Sequence, residues 1–86
     1  MIDIDYAPQG VCARNIHLEL SDDGQTVLGC EFTGGCNGNL KAISKLVEGM
    51  SSERVVEVLA GNTCGMKGTS CADQLSRAIA DALENA

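Results

Sequence analysis

Two stretches of alternating apolar and polar residues open the chain, and a longer period replaces them after residue 36. Ile2, Ile4 and Tyr6 alternate with Asp3 and Asp5, which predicts a short strand. Pro8 and Gly10 interrupt the pattern. From Ala13 to Leu20 it returns, with Ile16, Leu18 and Leu20 assigned to one face and His17 and Glu19 to the other. The Asp23-Gly24 pair in Ser21-Asp22-Asp23-Gly24-Gln25 marks a tight hairpin. Residues 26–32 then form the returning strand, in which Leu28, Cys30 and Phe32 are expected to face the core.

The glycine-rich junction Thr33-Gly34-Gly35-Cys36-Asn37-Gly38-Asn39 separates the two regimes. Beyond it Leu40, Ile43, Leu46 and Val47 recur at helical spacing, predicting an amphipathic helix over 37–48 that Gly49 ends. Ser51 or Ser52 can cap a short helix bearing Val55, Val56 and Leu59, which Gly61 stops. Residues 61–68 carry three glycines and read as a loop. Thr69 or Ser70 caps a final helix, with Asp73 in the first turn, where the helix dipole favours negative charge. Leu75, Ala78, Ile79, Ala82 and Leu83 make its apolar stripe, and Cys71, four residues before Leu75, shares it.

The order β-β-β-α-α-α predicts an α+β fold: a small, three-stranded, mostly antiparallel sheet followed by three helices packed on one face. There is no internal repeat and no linker, so residues 1–86 are expected to form a single domain.

Composition adds constraints. The apolar fraction is 44%, yet Tyr6 and Phe32 are the only aromatic residues, so the core must be built from Leu, Ile, Val and Ala. So small a core benefits from a metal or a partner subunit, and a homodimer through an apolar helix face would serve. Twelve acidic residues against 6 basic ones give a net charge of −6. The basic residues are scattered, which removes the electrostatic footprint expected for nucleic acid. The first residues lack the charged and apolar regions of a secretory signal, and no apolar run approaches the length of a membrane span. The expected location is the cytoplasm.

In that compartment five cysteines do not suggest a disulfide framework, and an odd number leaves one unpaired in any scheme. Cys36 and Cys71 each stand at a predicted helix N-terminus, where free backbone N–H groups and the dipole favour a thiolate, the form that binds metal. Cys12 and Cys64 lie in breaks between elements, where packing gains little and a chemical role is favoured. Cys30, between Leu28 and Phe32, reads as a small buried hydrophobe. The C-x₂-C zinc spacing is absent. His17 belongs to a polar strand face and reads as solvated, while Asp22, Asp23, Glu53 and Glu57 read as turn and surface charges. Gly34-Gly35 ahead of a helix hints at an anion nest but lacks the remainder of a phosphate-binding motif.

The string Thr69-Ser70-Cys71-Ala72-Asp73-Gln74-Leu75 resembles the signature of the TSCPD domain, with Ala72 where that name has proline. Together with residues 34–43 it is similar to small stand-alone TSCPD proteins, whose relatives occur at the C-terminal ends of some ribonucleotide reductases. The layout also resembles, more distantly, iron–sulfur scaffold proteins of the IscU/NifU type. Those have a cysteine before a β-hairpin, a Gly-Cys at its end and a cysteine opening the last helix; Cys12, Cys36 and Cys71 match these positions. Two departures stand out. Arg14 replaces an aspartate and Ser70 a histidine, both used by the scaffolds in assembling and transferring clusters. Cys64 would then supply the fourth ligand.

These readings lead to a metal-binding module in which Cys12, Cys36, Cys64 and Cys71 hold zinc or an iron–sulfur cluster. Its partner would be a ribonucleotide reductase or an iron–sulfur protein. The alternatives are a thiol–disulfide accessory module of ribonucleoside-diphosphate reductase, which needs an exposed pair in bonding range, and a non-catalytic interaction domain. No carboxylate pair, radical site or nucleotide pocket is recognisable, so a chain this small is not expected to carry reductase catalysis alone.

Overall fold

The computed structural model describes residues 1–35, 37–62 and 68–85. Three strands, β1 (Ile2–Tyr6), β2 (Ala13–Leu20) and β3 (Val27–Gly34), precede three helices, α1 (Asn37–Val47), α2 (Ser52–Leu59) and α3 (Cys71–Asn85). Strand β2 is central and antiparallel to both neighbours. This is the α+β arrangement that the hydrophobic pattern predicts.

The alternation in β2 sends Ile16, Leu18 and Leu20 to one face, where all three are buried. Val27 from β3, Val47 from α1, Val55 from α2 and Leu75, Ala78 and Ile79 from α3 complete the core. Helix α1 packs on β3, α3 on β2, and α2 on α3. Burying a side chain such as Leu18 or Ile79 contributes about 1.5–3 kcal/mol, so these few aliphatic residues carry most of the stability.

The turn between α1 and α2 is tied to the hairpin. Gly49 N–H donates to Val27 O (2.8 Å), Val27 N–H to Met50 O (2.9 Å) and Ser52 N–H to Gln25 O (2.8 Å). Fully buried Ser52 donates its hydroxyl to Gly24 O at 2.6 Å. Ser51 is therefore left to cap α2, accepting from Arg54 N–H at 3.0 Å.

Two details depart from the simple pattern. In β3, Glu19 pairs with Gly29 and Leu20 with Val27, so Leu28 is an extra residue in a β-bulge. The bulge inverts the phase of the strand: Val27 turns inward and Leu28 outward, 43% exposed, while Cys30 and Phe32 stay half-buried. Thr26, expected inside the strand, forms only an isolated bridge with Ser51. A period-two reading cannot register an inserted residue. In α1 Leu40 and Val47 are buried and Ile43 half-buried, whereas Leu46, expected in the same stripe, is 73% exposed at its margin.

Candidate functional site

The first turn of α3 is buried although its side chains are largely polar. Ser70, Asp73, Gln74 and Ser76 are all buried, and buried polar groups must find partners. Ser70 caps the helix, its Oγ accepting from Asp73 N–H at 3.1 Å and donating to Asn62 O. Gln74 Oε1 accepts from Gln9 N–H at 3.1 Å, and Nε2 donates to Thr69 Oγ1 at 3.0 Å. Asp73 accepts from Thr69 Oγ1 at 2.5 Å, Gly61 N–H at 2.7 Å and Arg77 Nε at 3.1 Å. The Thr69 hydroxyl, followed by the Gly61 amide, holds the Asp73 carboxyl below its ordinary value. Ser76 donates back to Asp73 O. Among the described residues no buried side-chain nitrogen or oxygen is left without a partner.

These bonds form a latch. Gln74 fastens the segment after β1 to α3, and Ser70 and Asp73 fasten the chain leaving α2 to the same turn.

A second junction binds the opposite end of that segment to β3. Ala13 pairs with Gly34 and Asn15 with Thr33, leaving Arg14 as an extra, exposed residue in a bulge. The bulge lets Ala13 and Ile16 both point inward. Gly34 and Gly35 follow with φ of +82° and +81°. Only glycine enters that region readily. At Gly35 space is short as well: a Cβ there would lie 3.2 Å from Ala13 N and 2.8 Å from Leu40 Cδ1.

Of the cysteines singled out by sequence, Cys12 is exposed in the turn before β2, and Cys71 is half-buried as the first residue of α3. Cys36 and Cys64 lie outside the described residues. Their described neighbours, Gly35 and Asn62, belong to the two junctions: Gly35 abuts Ala13, and Asn62 is bonded to Ser70. The segments that lead to all four cysteines are thus fastened to one another. Cys30 is set apart, half-buried against the core beside Ser44, with burial pushing its thiol up to about 11.

The two positions that depart from the scaffold pattern have structural tasks here, Ser70 as helix cap and Arg14 as the bulged residue. Thr69, Gln74 and Asn62 were not anticipated as partners. The run Thr69-Ser70-x-x-Asp73-Gln74 ahead of an apolar stripe did carry a capping-box signal, but its long-range partners Gln9, Gly61 and Asn62 follow only from the fold. His17 lies on the solvent-facing side of the sheet, as expected, between carboxylates of β1 and β2.

No curated protein and no solved structure matches the chain. No helix among the described residues is long and apolar enough to cross a membrane. The Thr69–Leu75 signature, which builds the latch, belongs to a recognised pattern: the family model of the TSCPD domain matches residues 2–83, nearly the whole chain, and the protein is a member of the TSCPD domain family.

Proposed function

We propose that this TSCPD domain is a small accessory module in which Cys12, Cys36, Cys64 and Cys71 hold a zinc ion or an iron–sulfur cluster. The observation that carries the reading is that the α3 latch and the Gly34-Gly35 junction fasten together described residues close in sequence to each of the four cysteines: Gln9, Gly35, Asn62 and Ser70. Holding together segments distant in sequence favours a multidentate site, because it lowers the ordering that metal binding must otherwise drive. The donor chemistry fits. Cys12 is exposed and Cys71 half-buried, while desolvated Cys30 is excluded from the set.

Four thiolates would close the coordination sphere of zinc and give a structural site, or would hold a cluster able to carry electrons. The residues of this chain would then bind, orient and partly shield the ligands. A ribonucleotide reductase or an iron–sulfur protein is the partner class this reading assigns, by way of the family resemblance. Metal analysis and an absorption spectrum of protein purified without oxygen or chelator test it. About one zinc per chain, or iron with acid-labile sulfide and visible absorption, is the expected result. Metal-free protein whose Cys12 and Cys71 cycle reversibly under mild oxidant would overturn it in favour of a thiol–disulfide module, a reading to which the exposure of Cys12 lends weight.

A further inference from the structure

The solvent face of the sheet carries a second constellation that shares no residue with the thiols. Register places Asp3 directly opposite Glu19 and Asp5 directly opposite His17. The buried side chains of Ile16, Leu18 and Leu20 on the other face fix that register. Two carboxylates in direct cross-strand opposition repel, so the pair costs stability unless a cation lies between them.

The imidazole is arranged for a further ligand. His17 Nδ1 is 2.9 Å from Asp5 Oδ1, and Asn15 Nδ2 donates to the same oxygen at 3.2 Å, holding Asp5 in place. With Asp5 accepting the Nδ1 proton, the Nε2 lone pair is left toward Asp3 Oδ1 at 3.7 Å and Glu19 Oε1 at 4.0 Å. One donor atom from each of Asp3, His17 and Glu19 falls within 4.8 Å of the other two. Ligand bonds of about 2.0–2.2 Å would draw these donors to roughly 3–3.5 Å apart, a closure that rotation of half-exposed side chains supplies. A carboxylate behind a ligating histidine is the usual outer-shell partner and raises the basicity of the ring. The Asp5 bond does raise the proton affinity of His17.

We propose that Asp3, His17 and Glu19 form a surface site for a divalent first-row transition ion, with His17 Nε2 as its nitrogen ligand and Asp5 as the outer-shell positioning residue. An imidazole in the set argues against magnesium and calcium, which prefer oxygen donors alone. Three protein ligands on an open sheet face leave the remaining coordination positions to water or to a donor group from another molecule.

The chain contains one histidine, so its ring nitrogens report on this site alone. Zinc is titrated into full-length ¹⁵N-labelled protein, beyond the amount that protects its thiols, at mildly alkaline pH. The expected result is a saturable shift of the Nε2 resonance while Nδ1 keeps its proton. Asp3→Asn and Glu19→Gln should each weaken zinc binding at this site at least tenfold, and Asp5→Asn by about tenfold or more. Backbone spectra that overlay on those of the wild type would show that these exposed substitutions leave the fold intact. An Nε2 resonance unmoved by excess zinc, coordination through Nδ1, or affinities unchanged in the Asp3 and Glu19 variants would each overturn the assignment. In that case His17 is only the cross-strand partner of Asp5.

Discussion

Replacing Asp73 with asparagine tests whether the α3 latch holds the fold together. The carboxylate is buried and accepts three hydrogen bonds, from the Thr69 hydroxyl (2.5 Å), the Gly61 amide (2.7 Å) and Arg77 Nε (3.1 Å). Asparagine is nearly isosteric but offers one acceptor oxygen. Kept on Gly61 N–H, that oxygen turns the new NH₂ group toward Thr69 and Arg77. Arg77 is largely exposed and can swing into water. The Thr69 oxygen, already accepting from Gln74, must reorient. Bonds to a charged group contribute about 1.5–3 kcal/mol each, against about 1 kcal/mol for a neutral one. The helix dipole adds about 0.3–1 kcal/mol for a negative charge in the first turn.

With Arg77 discounted for its exposure, the expected loss for Asp73→Asn is about 2–3 kcal/mol. A chain of this length has about 4–13 kcal/mol in total. Thermal unfolding followed by circular dichroism in reductant should show Tm lowered by about 10–20 °C. The sign with pH is fixed by the depressed carboxyl. Its contribution is fully present above the unfolded value and disappears as pH falls through the lower folded value. Wild type and variant should therefore converge in acid. A loss below about 0.5 kcal/mol at neutral pH, as for ordinary surface sites, or a difference that persists unchanged in acid, would refute the reasoning.

Gly35→Ala should cost about 1–3 kcal/mol through its left-handed backbone, and more because its Cβ would meet Leu40 and Ala13; chemical denaturation measures this, and a neutral substitution would contradict the junction. Gln74→Leu removes the acceptor for Gln9 N–H, so a loss of about 1–3 kcal/mol is expected, with faster hydrogen exchange at the Gln9 amide as the local readout. Cys30 should be the slowest of the described cysteines to alkylate in the native fold: with its thiol pushed up to about 11, only about one molecule in a thousand is thiolate at pH 8. Peptide mass spectrometry after timed alkylation checks this, and labelling of Cys30 as fast as Cys12 would contradict it.

Much of this architecture was legible in the order of residues, for identifiable reasons. The alternation of Ile16, Leu18 and Leu20 and the 3.6-residue stripe from Leu75 to Leu83 are local consequences of burying one face. Asp23-Gly24 and Gly49 mark turns that depend on the backbone alone. What could not be read was set by pairing between elements. The bulge that turns Leu28 outward exists because Leu20 pairs with Val27 rather than Leu28, and the 73% exposure of Leu46 depends on which face of α1 meets β3.

The candidate site divides along the same line. The sequence marked Cys12, Cys36, Cys64 and Cys71 by their places at helix starts and breaks. It could not show that Gln74 reaches Gln9 or that Asp73 reaches Gly61, because these bonds span 65 and 12 residues. His17 was read as solvated because its own strand offers only Glu19 and Asn15; Asp3 and Asp5 come from the neighbouring strand.

X-ray absorption at the metal edge of protein purified without oxygen or chelator tests the convergence of four thiols most directly. Four sulfur neighbours are expected, at about 2.3 Å if the metal is zinc, and the same spectrum from Cys30→Ala. Fewer than three sulfurs around the metal, or a sulfur lost with Cys30, would contradict it.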